Sequence, residues 1–166
     1  DISGLKANIH YQLAGVAGKK DVGANLMYFS GPVGLTAYYE RDQLTNPTVA
    51  AFADGSTKTV WMVGGSYDAG VVKAFATMGE SKTNLSATKQ KTYSLGASVP
   101  MSANGKVLAG YANSKVNVSG AKRQTFTVGY DHFLSKRTDV YAMVMSDKIT
   151  GQTSGTSVGV GIRHRF

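Results

Sequence analysis

The chain closes on TSVGVGIRHRF, which alternates without a break. Val158, Val160, Ile162, His164 and Phe166 fall on one side, and Ser157, Gly159, Gly161, Arg163 and Arg165 on the other. A period of two marks an extended strand with unlike faces. The same period fills most of the sequence. LKANIHYQL sets Leu5, Ala7, Ile9, Tyr11 and Leu13 against Lys6, Asn8, His10 and Gln12. VGLTAYYERD sets Val33, Leu35, Ala37 and Tyr39 against Gly34, Thr36, Tyr38 and Glu40. DVGANLMYF, KTVWMVGGSYD, TYSLGASV and RQTFTVGYDH repeat the pattern, the last with Phe126, Val128 and Tyr130 opposite Arg123, Thr125, Thr127 and Asp131. Stretches near 71–78, 106–115 and 139–147 are strand-like but cannot be phased. Helical spacing is nearly absent, so we expect an all-β chain of about ten strands in a single unit over residues 1–166.

The connections alternate in length. Short ones fall at 30–32, 68–70, 100–105 and 134–139, and longer polar ones at 15–20, 43–57, 80–88, 116–120 and 150–155. Gly, Asn, Asp, Ser and Pro mark nearly all of them, as turn chemistry requires. Short alternating with long predicts an up-and-down antiparallel meander with two distinguishable ends.

Whether the apolar face meets a core or lipid decides the function class. Aromatics sit towards strand ends, with Trp61 and Tyr67 bracketing Val63 and with Tyr28, Tyr39, Tyr93 and Tyr130 near termini, the arrangement of interfacial girdles. Strands of nine to eleven residues suffice to cross an apolar band of ~25 Å at the usual tilt. The opposite face is rich in Gly, Ser, Thr, Asn, Lys and Arg, costly in a dry core and comfortable in a wet lumen. A transmembrane β-barrel is therefore expected. The mean hydropathy of −0.14 is compatible with it, because only half of each barrel strand is apolar. No apolar run approaches the ~18 residues of a membrane helix.

The pieces FTVGYDHFLSKRTDVYAMVMS, TGQTSG and VGVGIRHRF, with VGLTAYYERD and VGGSYDAGVVKAFATMGES before them, resemble the general porins of β-proteobacteria, and the closing piece resembles their C-terminal portion. The resemblance implies a sixteen-stranded, trimeric outer-membrane barrel of about twice this length. This chain would then supply its last ten strands, and the N-terminal strands would come from the same or a companion chain. It also implies that Phe166, with Ile162, Val160 and Val158 in register, is the signal read by the outer-membrane insertion machinery, and that lipid bilayer and lipopolysaccharide are partners.

A diffusion pore needs a wet lumen whose charges bias what enters. The net charge is +8, from 18 Lys and Arg against 10 Asp and Glu. Candidate lumen residues are Lys6, His10, Lys73, Arg123, Arg163 and Arg165, opposed by Glu40 and Asp131, which would set up a transverse field against a basic wall. Passive passage of small hydrophilic solutes with anion preference follows. The alternatives are a small ten-stranded barrel carrying a rim-site enzyme, or a structural or adhesive anchor. No catalytic constellation, metal spacing or cofactor motif presents itself, and His10, His132 and His164 lie on separate strands. The basic residues lack the helix or stacking aromatics of a nucleic-acid surface.

Overall fold

The computed structural model describes residues 4–12, 20–44, 56–84 and 88–166. Ten strands follow in order: β1 (Leu5–Gln12), β2 (Asp21–Ser30), β3 (Val33–Leu44), β4 (Ser56–Asp68), β5 (Lys73–Thr83), β6 (Lys89–Ser102), β7 (Gly105–Val116), β8 (Lys122–Phe133), β9 (Thr138–Ile149) and β10 (Gly155–His164). Each pairs antiparallel with the next in one ten-stranded sheet ordered β1 to β10. The strands run from 8 to 14 residues, a wider spread than the nine to eleven expected. Among the described residues no ladder joins β10 back to β1, so both outer strands present free edges.

Alternating connections give the sheet two unlike ends. The turns after β2, β4, β6 and β8 occupy 31–32, 69–72, 103–104 and 134–137. Gly31, at φ 52°, opens the first of them ahead of Pro32, meeting the positive φ that a two-residue hairpin turn of this kind requires. At the second, the Asp68 carboxylate accepts from the Gly70 N–H at 3.0 Å, a local turn lock. The connections after β7 and β9, at 117–121 and 150–154, lie at the opposite end. Leu13 and most of the other long connections expected from sequence, at 15–20 and 43–57 and part of 80–88, lie outside the described residues.

The register sorts every strand residue to one of two faces and phases the three ambiguous strands. Val128 opposes Val144, which opposes Val158; Ala109 opposes Val128 and Ala97. So Ala74, Ala76 and Met78 of β5, Val107, Ala109 and Tyr111 of β7, and Val140, Ala142 and Val144 of β9 join the apolar face. Leu108, Tyr141, Met143 and Met145 stand on the polar one.

Among the described residues no hydrophobic side chain is buried. Val158, Val160 and Ile162 are 73%, 78% and 68% exposed, and Leu35, Val63, Met78 and Leu95 are also open. In water each such Val, Leu or Ile forgoes roughly 1.5–3 kcal/mol of transfer free energy. A sheet with no core, one continuous apolar face and aromatics at both margins calls for lipid on that face. The polar face is the crowded one, and glycine makes room there. A Cβ at Gly161 would meet the Tyr141 hydroxyl at 2.5 Å, and one at Gly23 would strike the His10 ring. Cross-strand aromatic-over-glycine pairs of this type pin register.

Candidate lumen face

The polar face carries the candidate charges, and most of them are paired. Arg163 on β10 opposes Asp139 on β9 and donates twice to it, through Nε at 3.0 Å and an Nη at 2.7 Å. The same guanidinium lies 3.6 Å from the Asp131 carboxylate, which Lys106 approaches from the other side at 3.6 Å. Asp131 and Asp139 are 6% and 1% exposed, and the second Asp131 oxygen, Oδ1, has no hydrogen-bond partner. Arg123 donates from Nε to both oxygens of Asp147, at 3.0 and 3.1 Å, and the Thr125 hydroxyl donates to the same carboxylate at 2.8 Å. His10 lies 3.5 Å from Glu40.

The sequence-derived candidates therefore divide. Arg123, Arg163, His10, Glu40 and Asp131 stand in cross-strand pairs. Lys6, Lys73 and Arg165 make no ion pair among the described residues. Lys73 opposes Asp68, whose carboxylate is turned to Gly70, and its ammonium lies 5.6 Å from the Phe75 ring. Arg165 follows β10, its N–H bonded to the Arg137 carbonyl at 2.9 Å. Lys58, Lys106, Asp139 and Asp147 share this face and were missed from sequence. Lys106, Asp139 and Asp147 belong to strands whose phase only the register supplies.

Placed along the strands, the face is graded. Lys6, Lys73, Lys106, Arg163 and Arg165 sit at the short-turn end with Asp68, Asp131 and Asp139. Asp21, Glu40, Asp42 and Asp147 gather towards the long-loop end, with Arg123 and Lys58. His132 and His164 lie on the apolar face, and among the described residues no three His, Asp or Glu side chains gather as a metal group.

Beyond β10 the Phe166 ring is fully exposed and meets His164 edge-on, centroids 4.9 Å apart. It continues the apolar row of Ile162, Val160 and Val158.

Comparison with known proteins matches this pattern. A family model described as Gram-negative porin matches residues 1–152. None of the curated proteins compared matches the chain. Among solved structures, the anion-selective porin from Comamonas acidovorans is 24% identical and superposes with a TM-score of 0.78, covering 100% of this chain and 57% of that one. Outer-membrane expressed OmpT of Vibrio cholerae is 16% identical with a TM-score of 0.77, over 99% and 62% of the two chains. The in-vitro folded trimer form of OmpT gives 14% and 0.66, over 96% and 64%. The chain thus spans about three-fifths of the length of the structures it resembles.

Proposed function

The chain belongs to the Gram-negative porin family, a family of outer-membrane β-barrels, and from that membership we propose that its ten strands form part of the wall of a general diffusion pore with anion preference. The observation that carries the reading is a single-layer sheet with an unburied apolar face on one side and a charged, glycine-rich face on the other. Such a sheet is a barrel wall between lipid and water, and its activity is passage rather than catalysis.

The free ladders of β1 and β10 support a larger barrel, closed by further strands of the same or a companion chain. We take the ten strands as the last of sixteen, of the β-proteobacterial type, in a homotrimer. Residues 1–166 form one continuous unit of that wall. Anion preference rests on Lys6, Lys73 and Arg165, which make no ion pair among the described residues and gather at the short-turn end. In a planar bilayer under a KCl gradient, the reversal potential should report chloride as the more permeant ion. Replacing Lys6 and Lys73 with Gln should lower that preference about twofold at 0.1 M salt, by the weak field of two partly screened charges. Cation selectivity in the unaltered protein would overturn the reading.

The exposed end of β10 supports a role for Phe166, with Ile162, Val160 and Val158, as the insertion signal. Phe166→Ala should reduce the heat-modifiable, folded protein in outer membranes several-fold, while Arg165→Ala leaves its amount unchanged. Equal amounts of folded protein in the two variants would remove Phe166 from that role.

A further inference from the structure

Apolar side chains on a wet face forgo the gain of burial, yet the lumen face gathers several in one place. Leu108 of β7 and Met143 of β9 both oppose Gly129 of β8, and Tyr141 follows Met143 on the same face. Leu108 and Met143 are exposed. Two strand spacings, about 9.6 Å of backbone, separate them, with only glycine between. One row towards the long-loop end Gly110 opposes Thr127, and a Cβ at Gly110 would meet nothing nearer than the Leu95 carbonyl at 3.9 Å. The result is an open recess of about 880 Å³ whose walls include these six residues and, at its short-turn end, Asp131 and Arg163. That is room for a small molecule. A solute with an apolar body gains by displacing water from Leu108 and Met143.

The short-turn end of the recess selects the sign of charge. Asp139 and Asp131 are covered, their side chains 1% and 8% exposed, whereas Arg163 and Lys106 stand 49% and 34% open. Arg163 gives Nε and one Nη to Asp139 and keeps further donors of the five N–H groups a guanidinium carries. An entering solute therefore meets cations, with the carboxylates behind them. Cations at this end also lie against rings: the Lys106 ammonium is 5.1 Å from the Phe133 centroid and that of Lys73 is 5.6 Å from Phe75. A flat ring fits the slot between Leu108 and Met143, where a thioether favours its edge. The guanidinium of Arg163 reaches to 3.6 Å from the Asp131 carboxylate. Asp131 follows Gly129 by two residues, about 7 Å along β8, so a carboxylate on that ring comes within reach of Arg163. We infer that the recess is a binding subsite for small aromatic carboxylates, with the ring between Leu108 and Met143 and the carboxylate on Arg163 and Lys106. The inference rests on the pore reading above and narrows it, from passage of small anions in general to retention of one class.

The test uses the full chain, reconstituted in planar bilayers and, in parallel, in vesicles. Benzoate is the probe; acetate supplies its charge without the ring, and benzyl alcohol the ring without the charge. Millimolar benzoate should interrupt the single-channel current at a frequency that rises with its concentration, while acetate and benzyl alcohol do not. In vesicles, saturation of protein methyl resonances should pass to the benzoate ring protons in NMR spectra. Gly110→Leu, whose Cβ has room and whose side chain fills the recess, should weaken both effects roughly tenfold. Lys106→Gln should weaken them about threefold, by loss of one charge near the carboxylate. Thr36→Leu, the same bulk on β3 of the same face, should leave both effects as they are. Heat-modifiable mobility reports that each variant is folded. Acetate or benzyl alcohol acting as strongly as benzoate would overturn the ligand class, and undiminished benzoate effects in Gly110→Leu would overturn the site. An open channel that benzoate neither interrupts nor contacts by saturation transfer would remove the subsite and leave the pore standing. Saturation transfer that Gly110→Leu abolishes, in a protein that conducts nothing, would instead fell the pore reading and leave the subsite standing.

Discussion

Arginine in place of Val144 should destabilise the folded protein in lipid vesicles by about 2–4 kcal/mol, the cost of a cation near the midplane of a barrel's lipid face. The same change at Thr127 should cost less than about 1 kcal/mol. The two positions are neighbours. Val144 opposes Val128 and Val158 at the centre of the apolar face, while Thr127 opposes Gly110 and Met145 on the polar one. They stand at the same level of adjacent strands, so depth is held nearly constant and only the face differs. Reversible urea unfolding in vesicles measures both. A soluble sheet packed on a hidden partner through its apolar face would also reject Val144→Arg, but it would do so equally in water without lipid. A large penalty at Thr127 with little at Val144 would mean the two faces are assigned the wrong way round.

That pair of positions also marks how far the sequence could be read. Val128 and Thr127 were assignable because RQTFTVGYDH alternates cleanly, and the final strand was assignable for the same reason. Val144 was not. In β9 the outward Val140, Ala142 and Val144 alternate with Tyr141, Met143 and Met145, so both parities look apolar. A lumen face tolerates Met and Tyr where water and side chains share the space, and the period-two signal then vanishes. Only register with β8 and β10 restores it. The charge pairs were hidden for another reason. Arg163 and Asp139 are 24 residues apart and meet only because β9 and β10 run antiparallel. The alignment of Lys91 opposite Lys115 and of Lys115 opposite Lys122 was hidden in the same way, since the three lie on three different strands. Strand count, order and the unlike ends follow from local patterns; what faces what across the sheet does not.

Because Arg163 is paired with Asp139 and lies beside Asp131, these two carboxylates set how much of its charge an ion meets. Changing Asp131 and Asp139 together to Asn should raise the chloride-to-potassium permeability ratio roughly three- to fivefold at 0.1 M salt. The estimate follows from two uncompensated charges felt at about 8 Å in water, each near 0.5 kcal/mol. The cluster holds Lys106 and Arg163 against Asp131 and Asp139, with Arg165 following at the end of β10. With both carboxylates intact, one cation is left uncompensated; with both neutralised, three are. Asp139 also fixes where the Arg163 side chain points, through its two hydrogen bonds, so Asn there frees the guanidinium to reach into the lumen. Field and reach act in the same direction. At 1 M salt, with screening over about 3 Å, the difference should shrink towards nothing. A ratio unchanged at low salt would place these four residues outside the ion path and remove the short-turn end as the seat of selectivity. The single change Asp131→Asn separates the two contributions. It removes the carboxylate beside Lys106 and Arg163 but leaves the two hydrogen bonds that Arg163 donates to Asp139, and should give the smaller part of the shift.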